Sequence, residues 1–136
     1  MSPHDALRQT AFEILEEGLF VFLAEGEPVT DIEPVRFTMA IEGPAHRSEV
    51  GIQVSRDLAR TMAANMLGLD PDEMSDGDIA AGVAEALNMV AGRLMPDIVG
   101  FGPELELHPP VAGGMPHGDV IAFDSDGGQI LMWYAA

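Results

Sequence analysis

Two periods of apolar residues alternate along the chain, and the switches between them divide it into elements. Residues 3 to about 17 repeat at helical spacing, with Leu7, Ala11, Ile14 and Leu15 on one stripe. Ser2 stands where an N-cap belongs, Pro3 suits the first helical position, and Asp5 complements the helix dipole. Gly18 is one candidate stop. The run LFVFLAEG beyond it leaves a longer helix open.

At PVRFTMAIEG the period becomes two. Val35, Phe37, Met39 and Ile41 point one way; Arg36, Thr38 and Ala40 point the other. GPAH is a turn, and SEVGIQVS alternates again through Val50, Ile52 and Val54. Together they predict an antiparallel hairpin with one buried face. Helical spacing returns in SRDLARTMAANMLG, with Ser55 as cap, Leu58, Met62 and Met66 inside, and Gly68 as stop. After the loop DPDEMSDGD, a third helix is expected from Ser75 or Asp76 to Leu94, stopped by Pro96.

The last third is strand-like. ELELHPPV is extended, and its two prolines suit a sheet edge or exit. GDVIAFDSDGGQILMWYA reads as a second hairpin turning at SDGG. The order helix, two strands, two helices, about three strands predicts an α+β fold, with helices on one face of a mainly antiparallel sheet. QILMWYAA reads either as a core strand or as an exposed edge that a second copy could join.

At 136 residues the chain is long enough for one domain with its own core, taken as residues 1–136. The longest apolar run, Leu19 to Ala24, is far too short to span a bilayer, and MSPHDALRQ lacks the pattern of a secretory signal. With no cysteine, disulfides, thiolate zinc sites and cysteine nucleophiles are excluded, and a cytoplasmic location is expected. There are 23 acids against six arginines and no lysine, a net charge of −17. Without lysine there is no Walker-A loop, Schiff base or Ser-Lys hydrolase. Such a charge disfavours nucleic acid and favours a partner with a basic recognition surface, or simply keeps the protein soluble; no membrane partner is expected.

The third helix raises the sharpest question. Ile79, Val83, Leu87, Val90 and Leu94 fall on one side of a helical wheel. Glu85 and Asn88 fall on the other, neighbours at i, i+3, flanked by Ala81, Ala84 and Gly92. Relative to alanine, Gly82, Asn88 and Gly92 together weaken the helix by roughly 2–3 kcal/mol. A merely solvated face would more naturally carry Glu and Arg. Small residues let another backbone approach, and Glu plus Asn offer acceptors and a donor at fixed spacing. A solvated face with an incidental asparagine is the bland alternative.

The segment DIAAGVAEALNMVAGRL resembles the signature helix of the CheC/CheX/FliY chemotaxis phosphatases, and the chain is most similar to the CheX type. Their pattern is an acid or serine, then Glu four positions on, then Asn three further, then a Met-hydrophobic-Ala-Gly run. Glu85, Asn88 and Met89 to Gly92 match it; Ala81 stands where the acid or serine would be. EVGIQVSRDLARTMAANMLG and LELHPPVAGG resemble the flanking segments, so that the likeness covers about residues 35 to 134.

The resemblance implies dephosphorylation of the phosphoaspartate of a CheY-like response regulator. Asn88 would position the attacking water, and Glu85 would dock the regulator's active-site lysine. Ala81, Ala84 and Gly92 would give room to the partner. Mg²⁺ would belong to the regulator, with no cofactor held by this chain, and homodimerisation through a joined sheet is implied too. The alanine at position 81 keeps a second reading open, a non-catalytic module on the same fold that docks a regulator or another signalling protein. A structural flagellar-switch role fits less well, since the extra domain expected for it is missing.

Other chemistry finds little support. DPDEMSDGD has five acids, but EF-hand spacing fails at Met74. His4, His46, His108 and His117 form no metal-binding pair, and the serines have no nucleophile elbow. No metal site is expected.

Overall fold

A computed structural model describes residues 2–18, 21, 23–27, 34–99, 104–125 and 128–136. Helix α1 (Pro3–Ala11) starts as its sequence suggests: the Ser2 hydroxyl accepts the Asp5 N–H at 3.1 Å. The winding then widens into a π-helical segment, Phe12–Gly18. Leu7, Ala11 and Leu15 are buried, and Phe12 packs edge-on against Phe123, 5.4 Å between centroids. A two-residue strand β1 (Ala24–Glu25) follows, so the helix does not persist through LFVFLAEG. Leu19, Phe20 and Phe22 lie outside the described residues.

Strands β2 (Val35–Gly43) and β3 (His46–Val54) form the expected hairpin, in register from Val35–Val54 to Gly43–His46. Met39, Ile41, Val50, Ile52 and Val54 face the helices and are buried. The burial of β3 is not confined to that face, because Gly51 and Gln53 are buried too. Trp133 from the neighbouring strand lies over Gly51; a Cβ there would come within 1.9 Å of its ring. The Arg36 Nε donates to the Gln53 Oε1 at 2.6 Å across the same outer face.

Helix α2 (Arg56–Leu67) ends at Gly68, whose φ of 67° is the left-handed conformation a C-terminal glycine supplies. Ser55 precedes it, but its side chain does not cap the helix. The hydroxyl instead accepts the Gln129 N–H at 2.9 Å and donates to the Gln129 carbonyl at 3.3 Å, tying α2 to the last hairpin. Leu58 and Met62 are buried and Met66 packs at the margin.

Helix α3 (Asp76–Val99) is longer than expected, running through Pro96 instead of stopping at Leu94. A proline removes one N–H and crowds the carbonyl four residues back, here that of Gly92, an exposed position. Beyond that disturbance Met95 is buried and Ile98 and Val99 pack on the core, which favours continuing the helix.

With β4 (Glu106–Leu107), β5 (Val111–Ala112), β6 (Asp119–Ser125) and β7 (Gly128–Ala135), the sheet order is β1-β6-β7-β3-β2-β4, all pairs antiparallel, and β4 and β5 both lie along β2. The last hairpin, β6 and β7, forms as expected; two of its SDGG turn residues, 126 and 127, lie outside the described residues. β7 is an interior strand between β6 and β3, so QILMWYAA is a core strand and has no free edge for a second copy. Between β5 and β6 the chain crosses the outer sheet face, with Gly114 against Thr38 and His117 Nε2 3.1 Å from Glu49 Oε2. α1, α2 and α3 cover the inner face, which confirms an α+β architecture with helices on one side of an antiparallel sheet. No described helix is long and apolar enough to cross a membrane.

Candidate functional site

The site depends on how α3 is rotated, and two features set that rotation. At its start Ser75 and Asp78 form a reciprocal capping box: the Asp78 N–H reaches the Ser75 hydroxyl and the Ser75 N–H reaches the Asp78 carboxylate, both at 3.1 Å. Along its length Ile79, Val83, Leu87, Val90 and Leu94 are all at most 1% exposed. Gly82 adds a tight contact with α2, where a Cβ would lie 2.4 Å from the Ala63 Cβ. With that side locked, the opposite flank faces out.

Ala81, Glu85, Asn88 and Gly92 are exposed and Ala84 is half-buried. Among the described residues, no hydrogen bond or ion pair engages the Glu85 or Asn88 side chain. Both polar groups are therefore free for an incoming molecule. Ala81, Ala84, Glu85 and Asn88 line one open groove of about 470 Å³, and its far wall is Leu107, Pro109 and Pro110. Gly92 lies a turn beyond, on the same flank, and a Cβ built there would meet nothing within 4 Å.

The wall residues are the part of the site that sequence reasoning missed. Leu107 opposes Ile41 on β2, which turns its side chain toward α3. Pro109 and Pro110 have no N–H, so the edge between β4 and β5 presents rings rather than ladder donors. Their signal was the Pro-Pro pair itself, which marks an edge, although nothing local says which helix that edge faces.

The groove holds one carboxylate, one amide and small or apolar surface. An amide can hold a water by hydrogen bonds but does not titrate; a carboxylate can pair with a cation. Among the described residues no group of three or more acids and histidines is placed to hold a metal ion. Three of the five acids of DPDEMSDGD are otherwise engaged: Asp70 accepts the Asp72 N–H, Asp76 pairs with Arg56 at 3.1 Å, and Asp78 belongs to the capping box.

Comparison with known proteins addresses the family and the fold. The family model described as "Chemotaxis phosphatase CheX" matches residues 35–113, more than half of the 136. Curated protein sequences give no match. Among solved structures, the chemotaxis protein CheX from Vibrio vulnificus superposes with a TM-score of 0.80 at 19% identity, covering 99% of this chain and 96% of that one. CheX from Borrelia burgdorferi, in a CheX–CheY–BeF₃–Mg²⁺ complex, gives 0.74 at 19% identity, covering 98% and 97%. The FliY structure from Thermotoga maritima gives 0.56 at 14% identity, covering 93% and 82%. The structural likenesses establish the shared fold. The family match extends over β2, β3, α2, all of α3 and the β4–β5 wall, and by it the chain belongs to the CheX family.

Proposed function

We propose that this protein docks a CheY-like response regulator and hydrolyses its phosphoaspartate. One observation carries the reading: Glu85 and Asn88 project together, without a partner among the described residues, from an open flank beside the Pro109–Pro110 wall. The family match and the CheX–CheY complex of the Borrelia relative support the choice of partner.

In this reading Asn88 enters the regulator's site and holds a water in line with the phosphorus. The water oxygen bonds to phosphorus as the bond to the aspartyl oxygen breaks, leaving a free carboxylate and dihydrogen phosphate. Asn88 acts by geometry alone, which suits a reaction governed by positioning and charge stabilisation. Glu85 pairs with the regulator's lysine and fixes the approach. The regulator brings the Mg²⁺. Ala81, Ala84 and Gly92 leave space for its loops, and the chain's negative charge attracts a basic recognition surface.

The alanine at position 81, where the family pattern has an acid or serine, favours a second reading, docking without hydrolysis. A labelled phospho-regulator incubated with this protein and Mg²⁺ separates the two. Faster loss of phosphate supports hydrolysis; binding with an unchanged decay rate supports the non-catalytic module.

A further inference from the structure

The wall of the groove is held from behind by a charged cluster. Leu107 and Pro109 face α3, and between them His108 turns to the outer face of the sheet. There Glu106 sits directly opposite Glu42 of β2. Two carboxylates opposed across a pair of strands repel. His108 Nε2 lies 3.8 Å from Glu42 Oε2 and 4.0 Å from Glu106 Oε2. That nitrogen is shielded from water and has no hydrogen-bond partner among the described residues. Arg47 of β3 reaches the other oxygen of Glu42 at 3.9 Å, and a third carboxylate, Glu104, lines the same surface pocket as Glu42 and Glu106.

Leu105 and Leu107 pack on the core, but few backbone hydrogen bonds fasten this stretch. β4 has two residues, and the His108 N–H to Ala40 carbonyl bond, 2.9 Å, is the last before Pro109 and Pro110, which cannot donate. Pairing resumes only at Val111 opposite Thr38. The wall's position thus depends on a short strand whose outward carboxylates repel unless a cation stands between them.

We propose that His108 is a positioning residue: protonated, it bridges Glu42 and Glu106, clamps β4 to β2, and holds the Leu107–Pro109 wall for docking. Imidazoles change charge between about pH 5 and 8. A clamp built on an imidazolium holds only where the ring carries its charge. The docking half rests on the function proposed above; the clamp itself does not.

Two measurements keep the halves distinct. The first is hydrogen exchange of the His108 amide, which bonds to the Ala40 carbonyl across β4 and β2, corrected for intrinsic rates, between pH 5.5 and 8. Protection is expected to fall about two- to fivefold as pH rises, the scale of a partly exposed ion pair. His108→Gln is expected to be flat at the weak end, and Glu106→Gln, which removes the repulsion, flat at the protected end. The second is KM and kcat for a phospho-regulator over the same range. KM is expected to rise with pH in the parent by a similar factor, with kcat following the same pH profile in the parent and both variants. Relative to the parent, both variants are expected to lose the KM dependence. If His108→Gln keeps the parent's exchange profile, the clamp is wrong whatever the function. If exchange follows the expectation but KM does not, the clamp stands and its role in docking is overturned.

Discussion

Gly82 of α3 lies against Ala63 of α2 so closely that a Cβ at position 82 would stand 2.4 Å from the Ala63 Cβ and 2.8 Å from its Cα. The same helix carries Gly92 with nothing within 4 Å of an added Cβ. The two glycines are therefore present for different reasons. Gly82→Ala is expected to destabilise the fold by about 1–3 kcal/mol through overpacking, outweighing the helix-propensity gain. Gly92→Ala is expected to stabilise it by about 1 kcal/mol. Denaturant titration of both variants checks this; effects of the same sign would contradict it.

Glu85 and Gly92 are expected to affect docking while sparing the fold. Glu85→Ala removes an exposed carboxylate, and Gly92→Gln fills open space on the same flank. Both variants are expected to melt at or above the parent temperature and to bind the phospho-regulator more weakly. The Glu85 variant should lose the more salt-dependent part of the affinity, since screening acts on the charge pair. Calorimetric melting and a binding titration at two ionic strengths measure these effects.

Ser55 is tied to Gln129 rather than to its own helix. Ser55→Ala is expected to cost about 1 kcal/mol, the scale of a net hydrogen bond. The loss is expected to show as faster exchange at the Gln129 amide, since the hydroxyl accepts from that N–H. Faster exchange confined to the first turn of α2 would show instead that the hydroxyl serves as a cap.

Gly51 lies under Trp133, which is fully buried. Gly51→Val is expected to cost about 3 kcal/mol or more, because a bulky branched side chain must displace an indole from a packed layer. A chemical denaturation curve with tryptophan fluorescence as probe reads both the loss of stability and the displacement of the ring.

These relationships explain what the sequence did and did not disclose. The β2–β3 hairpin and the buried stripe of α3 were legible because their periods, two and 3.6, are local properties of the chain. The outward direction of Glu85 and Asn88 followed from that stripe alone. The length of α3 did not, because Ile98 and Val99 pack on a core built by distant segments, and that packing outweighs Pro96. The use of Ser55 was hidden for the same reason: its partner lies 74 residues away. The interior place of β7 and the Leu107–Pro110 wall depend on sheet order, which no local pattern encodes.

The most direct test of the account is the decay of labelled phospho-regulator with Mg²⁺, with and without Asn88→Ala. The variant removes an exposed amide from a helix and is expected to fold at least as well as the parent, by about 0.5 kcal/mol. It is expected to bind the regulator nearly as tightly while most of the acceleration is lost. Undiminished phosphate release by a well-folded Asn88→Ala protein would contradict the claim that this side chain positions the attacking water.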